Sequence, residues 1–474
     1  MPKTLCPEQE LSLTFEGLRD FRPRHLVSKN PFIHAVVQAI DIVSKADSQK
    51  LSGQWITEQL GQWPDLPVDL SSFDLETVPQ KPTGGTTSMD RILDMVSMPE
   101  PGSSRGLAAL KSALQVHLQA LLTHIYSRKA FRQLEALWRS LNLLFSQRGR
   151  DQSIICRIVP YEPGDLETAL SRVFSELILD PPSLILVDEP FDASPASIRL
   201  MDQAAGIAQT LLAPAICWVG PAFFHCTTWT EWDRLPYLPH HLQRPEYAKL
   251  RAVRQQPAAS WMGLSCNRFL LRPSYTRTSG EEEGALRFEE KDRPWGSPVY
   301  ALAALMLSST AVYGWPTHVS EWKRIRLEGM PVVETDTRPR PTEATLSDER
   351  LHQMSRIGLI PLMGQSGRDI LFSPVDTTLG GEPLSRQLFI SSISRELIRC
   401  KDAYGGQSSS KQEISRYLHR CCDRIWQERG GVQPDSVHLD VQETGSGSRS
   451  RISIAPSRGM LPGAGGDVVL DLDW

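Results

Sequence analysis

At 474 residues the chain has room for two or three domains and a large core, and 40% hydrophobic with 22% charged residues is an ordinary globular balance. A formal charge of −4 and a pI near 6.3 give no argument for nucleic-acid binding, which usually demands a basic face. Eight cysteines without a C-x-x-C pair, several inside apolar runs, argue for a reducing compartment and against a disulfide framework.

The opening residues, "MPKTLCPEQELSL", carry neither the apolar core of a signal peptide nor an Arg-rich amphipathic run. A short apolar run, "LSLTF", and "EGLRDFRPRHLV" follow; then Phe32, Val36, Ile40 and Val43 recur at helical spacing and predict a helix. Phe15, Leu18, Phe21, Val36 and Ile40 are too apolar to stay exposed, so residues 11–60 are expected to dock on the rest of the chain. Residues 61–88, rich in Pro, Asp, Ser, Thr and Gly, read as a linker. "MDRILDMV" (89–96) follows, a short helix with Met89, Ile92, Leu93 and Val96 on one face. Over 107–146 two apolar stripes, Leu107 to Ile125 and Phe131 to Phe145, predict two helices that break at "SRKA".

From residue 153 the rhythm changes. "SIICRIV", "LILV" and "AICWVG" read as strands, "DLETALSRVFSELIL" and "PASIRLMDQAAGIAQTLL" as helices between them. This β-α-β-α-β order predicts an α/β fold with a parallel sheet, flanking helices and "LILV" as the central strand. "GLSCNRFLLR" reads as a further strand. The uncharged stretch between Arg293 and Glu321 is interrupted by Ser308, Ser309, Thr310, Gly314 and Pro316, which predicts a buried helix and no membrane span. Helices are expected at "LSRQLFISSISRELIRC" and "SKQEISRYLHRCCDRIWQE". At the C-terminus "VHLDVQ", "RISIA" and "DVVLDLDW" alternate with period two, predicting a small sheet. In its last strand Val468, Leu470, Leu472 and Trp474 share one face, and its edge is suited to pairing with another subunit.

One stretch imitates catalytic machinery. "LILVDEPFDASP" (184–195) ends a buried strand in Asp188-Glu189, as the Walker B strand of an ATPase does. Its obligatory partner, G-x-x-x-x-G-K-[ST], is absent; Gly405-Gly406-Gln407-Ser408-Ser409-Ser410-Lys411 lacks the second Gly before the Lys. The plainer reading is a strand ending in a turn, with Asp192 or Ser194 capping the next helix and Pro195 in its first turn. His225, His240 and His241 fall in no catalytic motif, and His419, Cys421 and Cys422 would point in different directions on a helix. No reaction, cofactor or metal is expected.

Six segments, in order, carry a resemblance: "FRQLEALWRSLNLLF" (131–145), "RPEYAKLRAVRQQPAASWMGLSCNRFLLRPSY" (244–275), "PWGSPVYALAALM" (294–306), "VYGWPTHV" (312–319), "EGMP" (328–331) and "LSDERLHQMSRIGLIPLM" (346–363). Together they resemble the large subunit of the type VI secretion contractile sheath, the TssC or VipB family. "LTFEGLRDFRPRHLVSKNPFIHAVVQAI" (13–40) resembles the C-terminal part of the small sheath subunit, TssB or VipA, so the chain looks like a fusion of both partners. The small subunit's N-terminal β-rich half has no counterpart, and the acidic, Gly-rich loop before the middle strand is reduced to "LDPPS".

The resemblance implies a cytoplasmic bacterial structural protein, not an enzyme. It divides the chain into a small-subunit-like segment (1–60), a linker (61–88), a large-subunit-like core (89–430) and C-terminal linkage strands (431–474). The partners it implies are copies of itself or other sheath subunits, an inner tube protein, a baseplate, and a disassembling AAA+ unfoldase that would take the 89–96 helix. The alternative within the same fold is an accessory or terminal protein that caps or regulates a separate sheath. The suspected interface residues are Met89, Ile92, Leu93, Val96, Val468, Leu470, Leu472, Trp474, Phe15 and Phe21.

Overall fold

The computed structural model describes residues 5–6, 11–63, 66, 68–73, 75, 102–147, 154–162, 164–276, 286, 288–333, 338–405, 410–444, 447–463 and 466–474. The chain falls into two compact units, Met1–Trp138 with Ser274–Pro294, and Arg139–Pro273 with Trp295–Trp474.

In the first unit, a single turn at Leu18–Phe21 leads into α1 (Pro23–Lys29), α2 (Pro31–Gln49) and α3 (Gly53–Leu60). Asn30 caps α2 by accepting from the Ile33 N–H at 3.1 Å, and Pro31 occupies a position that needs no donor. The buried face of α2 is Ile33, Val36, Ile40 and Val43, with Phe32 at its margin. It packs on α4 (Gly102–Ser127), where Leu107, Leu110, Leu114, Leu118, Leu121 and Ile125 are all buried. Two stripes at helical spacing, far apart in the sequence, thus close on each other. The described residues of the segment expected to be a linker do not run free: Trp63, Leu66, Val68, Leu70, Phe73 and Leu75 pack against the same core. The break expected at "SRKA" falls between Ser127 and α5 (Lys129–Gln147).

The second unit holds a parallel four-stranded sheet in the order β1 (Ile185–Phe191), β2 (Ala215–Val219), β3 (Met262–Cys266), β4 (Leu359–Pro361). The helices α6 (Leu166–Leu177) and α7 (Pro195–Thr210) precede and follow β1. Ser194 is the cap of α7, accepting from the Ser197 N–H at 3.2 Å, with Pro195 next. The uncharged helix α8 (Pro298–Tyr313) is buried from Val299 to Met306, which is why it carries no polar face. No described helix is long and apolar enough to cross a membrane.

The sheet departs from expectation in two places. Residues 154–160 form no strand and join no ladder among the described residues, so β1 lies at the edge of the described sheet and not at its centre. The run is apolar on both alternating faces, yet each face is left partly open: Ile155 is 89% and Ile158 57% exposed. "GLSCNRFLLR" does not continue as one strand either. Asn267 adopts φ 70°, ends β3, and leaves only Phe269–Leu270 to pair with Trp295–Gly296. Its buried side chain accepts from the Ala344 N–H and donates to the carbonyls of Ala344 and Leu362, which fixes the kink.

Farther along, α9 (Leu384–Tyr404) and α10 (Lys411–Glu428) build a second core of this unit around Trp315, Phe389, Leu397, Leu418 and Trp426. Over it lies an antiparallel sheet of β5 (Ser436–Thr444), β6 (Gly447–Ala455) and β7 (Val468–Asp473) in the order β7-β6-β5. Gly314 ends α8 at φ 76°, and a Cβ there would lie 2.0 Å from the Arg429 carbonyl oxygen. Gly314→Ala is therefore expected to cost roughly 2–4 kcal/mol, from left-handed strain and overpacking against backbone. A lower urea midpoint at unchanged slope checks this.

Candidate assembly surfaces

Asp188 and Glu189 stand where β1 slips register, between Leu186 and Pro190. Each carboxylate is held by a phenol: Tyr300 donates to Asp188 Oδ2 at 3.1 Å and Tyr161 to Glu189 Oε2 at 2.9 Å. Burial raises the Asp188 carboxyl above its ordinary value of 3.8, and the neighbouring Glu189 charge adds to this. Burial likewise raises both phenols, so they stay protonated donors. Chemically this is a clasp joining β1 to α8 and to the segment before α6. The two tyrosines lie 28 and 112 residues from their carboxylates, and no local pattern could have paired them.

A titration tests the clasp. With a raised folded pKa, the favourable contribution of Asp188 is complete below its unfolded pKa and is lost as pH rises through the folded value. Asp188→Asn removes that titration. It is expected to match or exceed the wild type in stability at neutral pH, and to lose that advantage as pH falls through the carboxylate range; urea midpoints at the two ends check this. Neither chain is expected to bind magnesium-ATP, which calorimetry reads directly.

The histidines are placed by packing. His241 is buried, 3.2 Å from the Tyr247 hydroxyl, which donates to the Phe223 carbonyl. Cys421 and Cys422 are buried on α10, and no group of three or more potential metal ligands occurs among the described residues.

In the C-terminal sheet, Val468 is fully buried, and Leu470, Leu472 and Trp474 pack against the same core. Trp474 lies edge-on to Tyr404, and its indole N–H donates to Ser450 Oγ at 2.7 Å. The opposite face is charged. Asp473 pairs with Arg449 at 2.6 Å and Asp471 with Arg451 at 2.9 Å, directly across the β6–β7 register. Those two arginines were not singled out from sequence; "SRSRISIA" places them opposite Ile452 and Ile454, where a "DLD" strand would meet them. The edge of β7 away from β6 carries no strand among the described residues.

Phe21 and Phe15 belong to the first unit. Phe21 is wholly buried, stacked on Phe15 at 4.4 Å and edge-on to Phe131 at 5.7 Å, and its carbonyl accepts from the Tyr126 hydroxyl at 2.6 Å. Beside it, Asp20 accepts from the Lys29 ammonium at 2.8 Å and from the N–H groups of Glu16 and Gly17, which hold its carboxyl down to about 2. Met89, Ile92, Leu93 and Val96 lie outside the described residues.

Comparison with known proteins gives three likenesses. Residues 179–377, which contain all four strands of the parallel sheet, match the VipB family, described as the EvpB/VC_A0108 tail sheath N-terminal domain. Over 352 residues the chain is 25% identical to the type VI secretion system sheath protein TssC1 of Pseudomonas aeruginosa, covering 67% of this chain and 70% of that one. A chain in the cryo-EM structure of the anti-feeding prophage baseplate aligns over 71% of this chain and 79% of its own, with 12% identity and a TM-score of 0.41.

Proposed function

We propose that this chain, whose residues 179–377 carry a VipB-type tail sheath domain, is a structural subunit of a type VI secretion contractile sheath that assembles around an inner tube. The observation that carries the reading is the sheath-domain match over the parallel sheet, extended by similarity to TssC1 across two thirds of the chain. Under it, the chain works in the bacterial cytoplasm with copies of itself or with other sheath subunits, and a baseplate seats the assembly. A cap or regulator of a separate sheath is the less favoured role.

Residues 13–40 supply a small-subunit-like piece, and their packing on α4 lets one chain combine both partners. The C-terminal face of Val468, Leu470, Leu472 and Trp474 anchors β7, so that its outer edge can link subunits. Electron microscopy of the purified chain is expected to reveal ordered rings or filaments; a chain that stays monomeric at every concentration overturns the reading. Residues 89–96, with Met89, Ile92, Leu93 and Val96, are proposed to engage an AAA+ unfoldase. A peptide of residues 86–100 is expected to bind the cognate unfoldase in a polarisation assay, and failure to bind removes that role.

A further inference from the structure

We infer that His318 carries a proton on both ring nitrogens in the folded chain, and that this imidazolium is a proton-dependent latch holding the turn between β6 and β7 against the end of α8. The assignment follows from counting hydrogens. The Thr317 hydroxyl oxygen lies 2.6 Å from the Met460 carbonyl oxygen and 3.0 Å from His318 Nδ1. A carbonyl has no hydrogen to give, so the single hydroxyl hydrogen of Thr317 is committed to Met460. Nδ1 therefore has to donate to Thr317 Oγ1. His318 Nε2 lies 3.0 Å from the Arg458 carbonyl oxygen, so it has to donate as well. Only the imidazolium donates from both nitrogens. The neutral ring with its hydrogen on Nε2 sets the Nδ1 lone pair against an oxygen lone pair, in a place closed to water: Thr317 is 0% and His318 1% exposed.

The surroundings suit a cation. The Tyr313 ring, at the end of α8, lies flat on the imidazole, with 3.9 Å between centroids and 10° between planes. The Tyr313 hydroxyl donates to Glu321 Oε2 at 2.6 Å and accepts from Arg324 at 3.4 Å. Burial, with Glu321, raises the Tyr313 phenol, so it stays a neutral donor. From the turn the charged residue is Arg458; it is exposed, and its carbonyl meets the ring. The backbone of His318 is fixed separately: its N–H donates to Ser309 Oγ at 3.0 Å, and its carbonyl accepts from the Glu321 N–H at 3.1 Å. Losing one ring proton thus leaves His318 in place and weakens its hold on the turn. That turn matters because Met460 and Leu461 are buried with Trp315, Trp426 and Val468 in the core under the C-terminal sheet. The latch holds while both protons are bound and loosens as pH rises and one leaves, which makes the connection into β7 sensitive to pH.

Nuclear magnetic resonance of the full chain, labelled with heavy nitrogen in histidine alone, reads the protons directly. The His318 signals are those missing from His318→Gln. Two protonated ring nitrogens at neutral pH are expected; one bare nitrogen overturns the proposal. A second measurement uses trypsin, which cuts after Arg458 within the latched turn. It is made at pH values that leave the circular dichroism of the chain unchanged, with a reference peptide in the same tube to correct for the protease's own pH dependence. Cutting of the wild type at Arg458 is expected to quicken as pH rises. His318→Gln has one donor group and no titration, so it is expected to be cut fast at every pH. Wild-type cutting at Arg458 that does not respond to pH overturns the latch, and so does a His318→Gln chain cut there as slowly as the wild type in acid.

Discussion

Deleting residues 467–474 is expected to abolish association of the chain with itself and with sheath, and to lower its melting temperature. The strand contributes one fully buried and three partly buried large apolar side chains, six ladder positions and two cross-strand ion pairs. A fully buried large side chain is worth roughly 1.5–3 kcal/mol, and exposed ion pairs add little. The loss is thus a sizeable share of the ~5–15 kcal/mol that holds a typical domain, and the truncated chain should retain its helices while its C-terminal sheet loosens. Val469→Lys separates linkage from folding. Val469 is 53% exposed, so the fold should tolerate lysine, whereas a new charge on an edge strand blocks pairing. Normal melting with lost association is the expected result; assembly equal to wild type in Val469→Lys and in the truncated chain removes β7 from the interface.

Removing residues 1–60 is expected to have a comparable or larger effect. It would bare Leu107, Leu110, Leu114, Leu118 and Leu121 of α4, which are covered by Phe21, Ile33, Val36, Ile40, Val43, Ile56 and Leu60. At roughly 1.5–3 kcal/mol for each large side chain, the gross apolar term is on the order of 10 kcal/mol. Residues 89–474 alone should be poorly soluble, and co-expression of 1–60 should restore solubility. Phe21→Ala is the point version, expected to cost about 3–5 kcal/mol by leaving a cavity among Phe15, Tyr126 and Phe131. Full solubility of 89–474 with an unchanged unfolding midpoint would contradict the docking.

Legibility in the sequence followed locality. The α2 and α4 stripes and the three period-two strands were readable because each exposes its burial pattern within a few turns or residues of chain. "SIICRIV" was misjudged because strand character belongs to a pair, and its composition cannot report whether an edge is there to receive it. The continuous strand expected over 263–272 failed at Asn267, whose partners lie 77 and 95 residues downstream. Among site residues, Asp188-Glu189 could be found by motif, while the tyrosines that define their role could not. The likeness of "LILVDEPFDASP" to a nucleotide-binding strand follows from shared geometry, since a strand end carrying carboxylates reads alike whether it meets a metal or a phenol.

Asn267 also bears on the order in which the chain is made. Its three backbone partners are at Ala344 and Leu362, and the strand that covers the far edge of β3 is Leu359–Pro361. During synthesis, β1, β2 and β3 therefore leave the ribosome well before the residues that complete them. For that interval the sheet has a bare hydrophobic border at Leu264–Cys266, and Asn267 has nothing to bond. Long-range parallel pairing of this kind is slow to close and prone to aggregation while it waits. The nascent chain is thus most vulnerable between the emergence of Cys266 and that of Pro361, and it is in this window that a chaperone would have the most to protect.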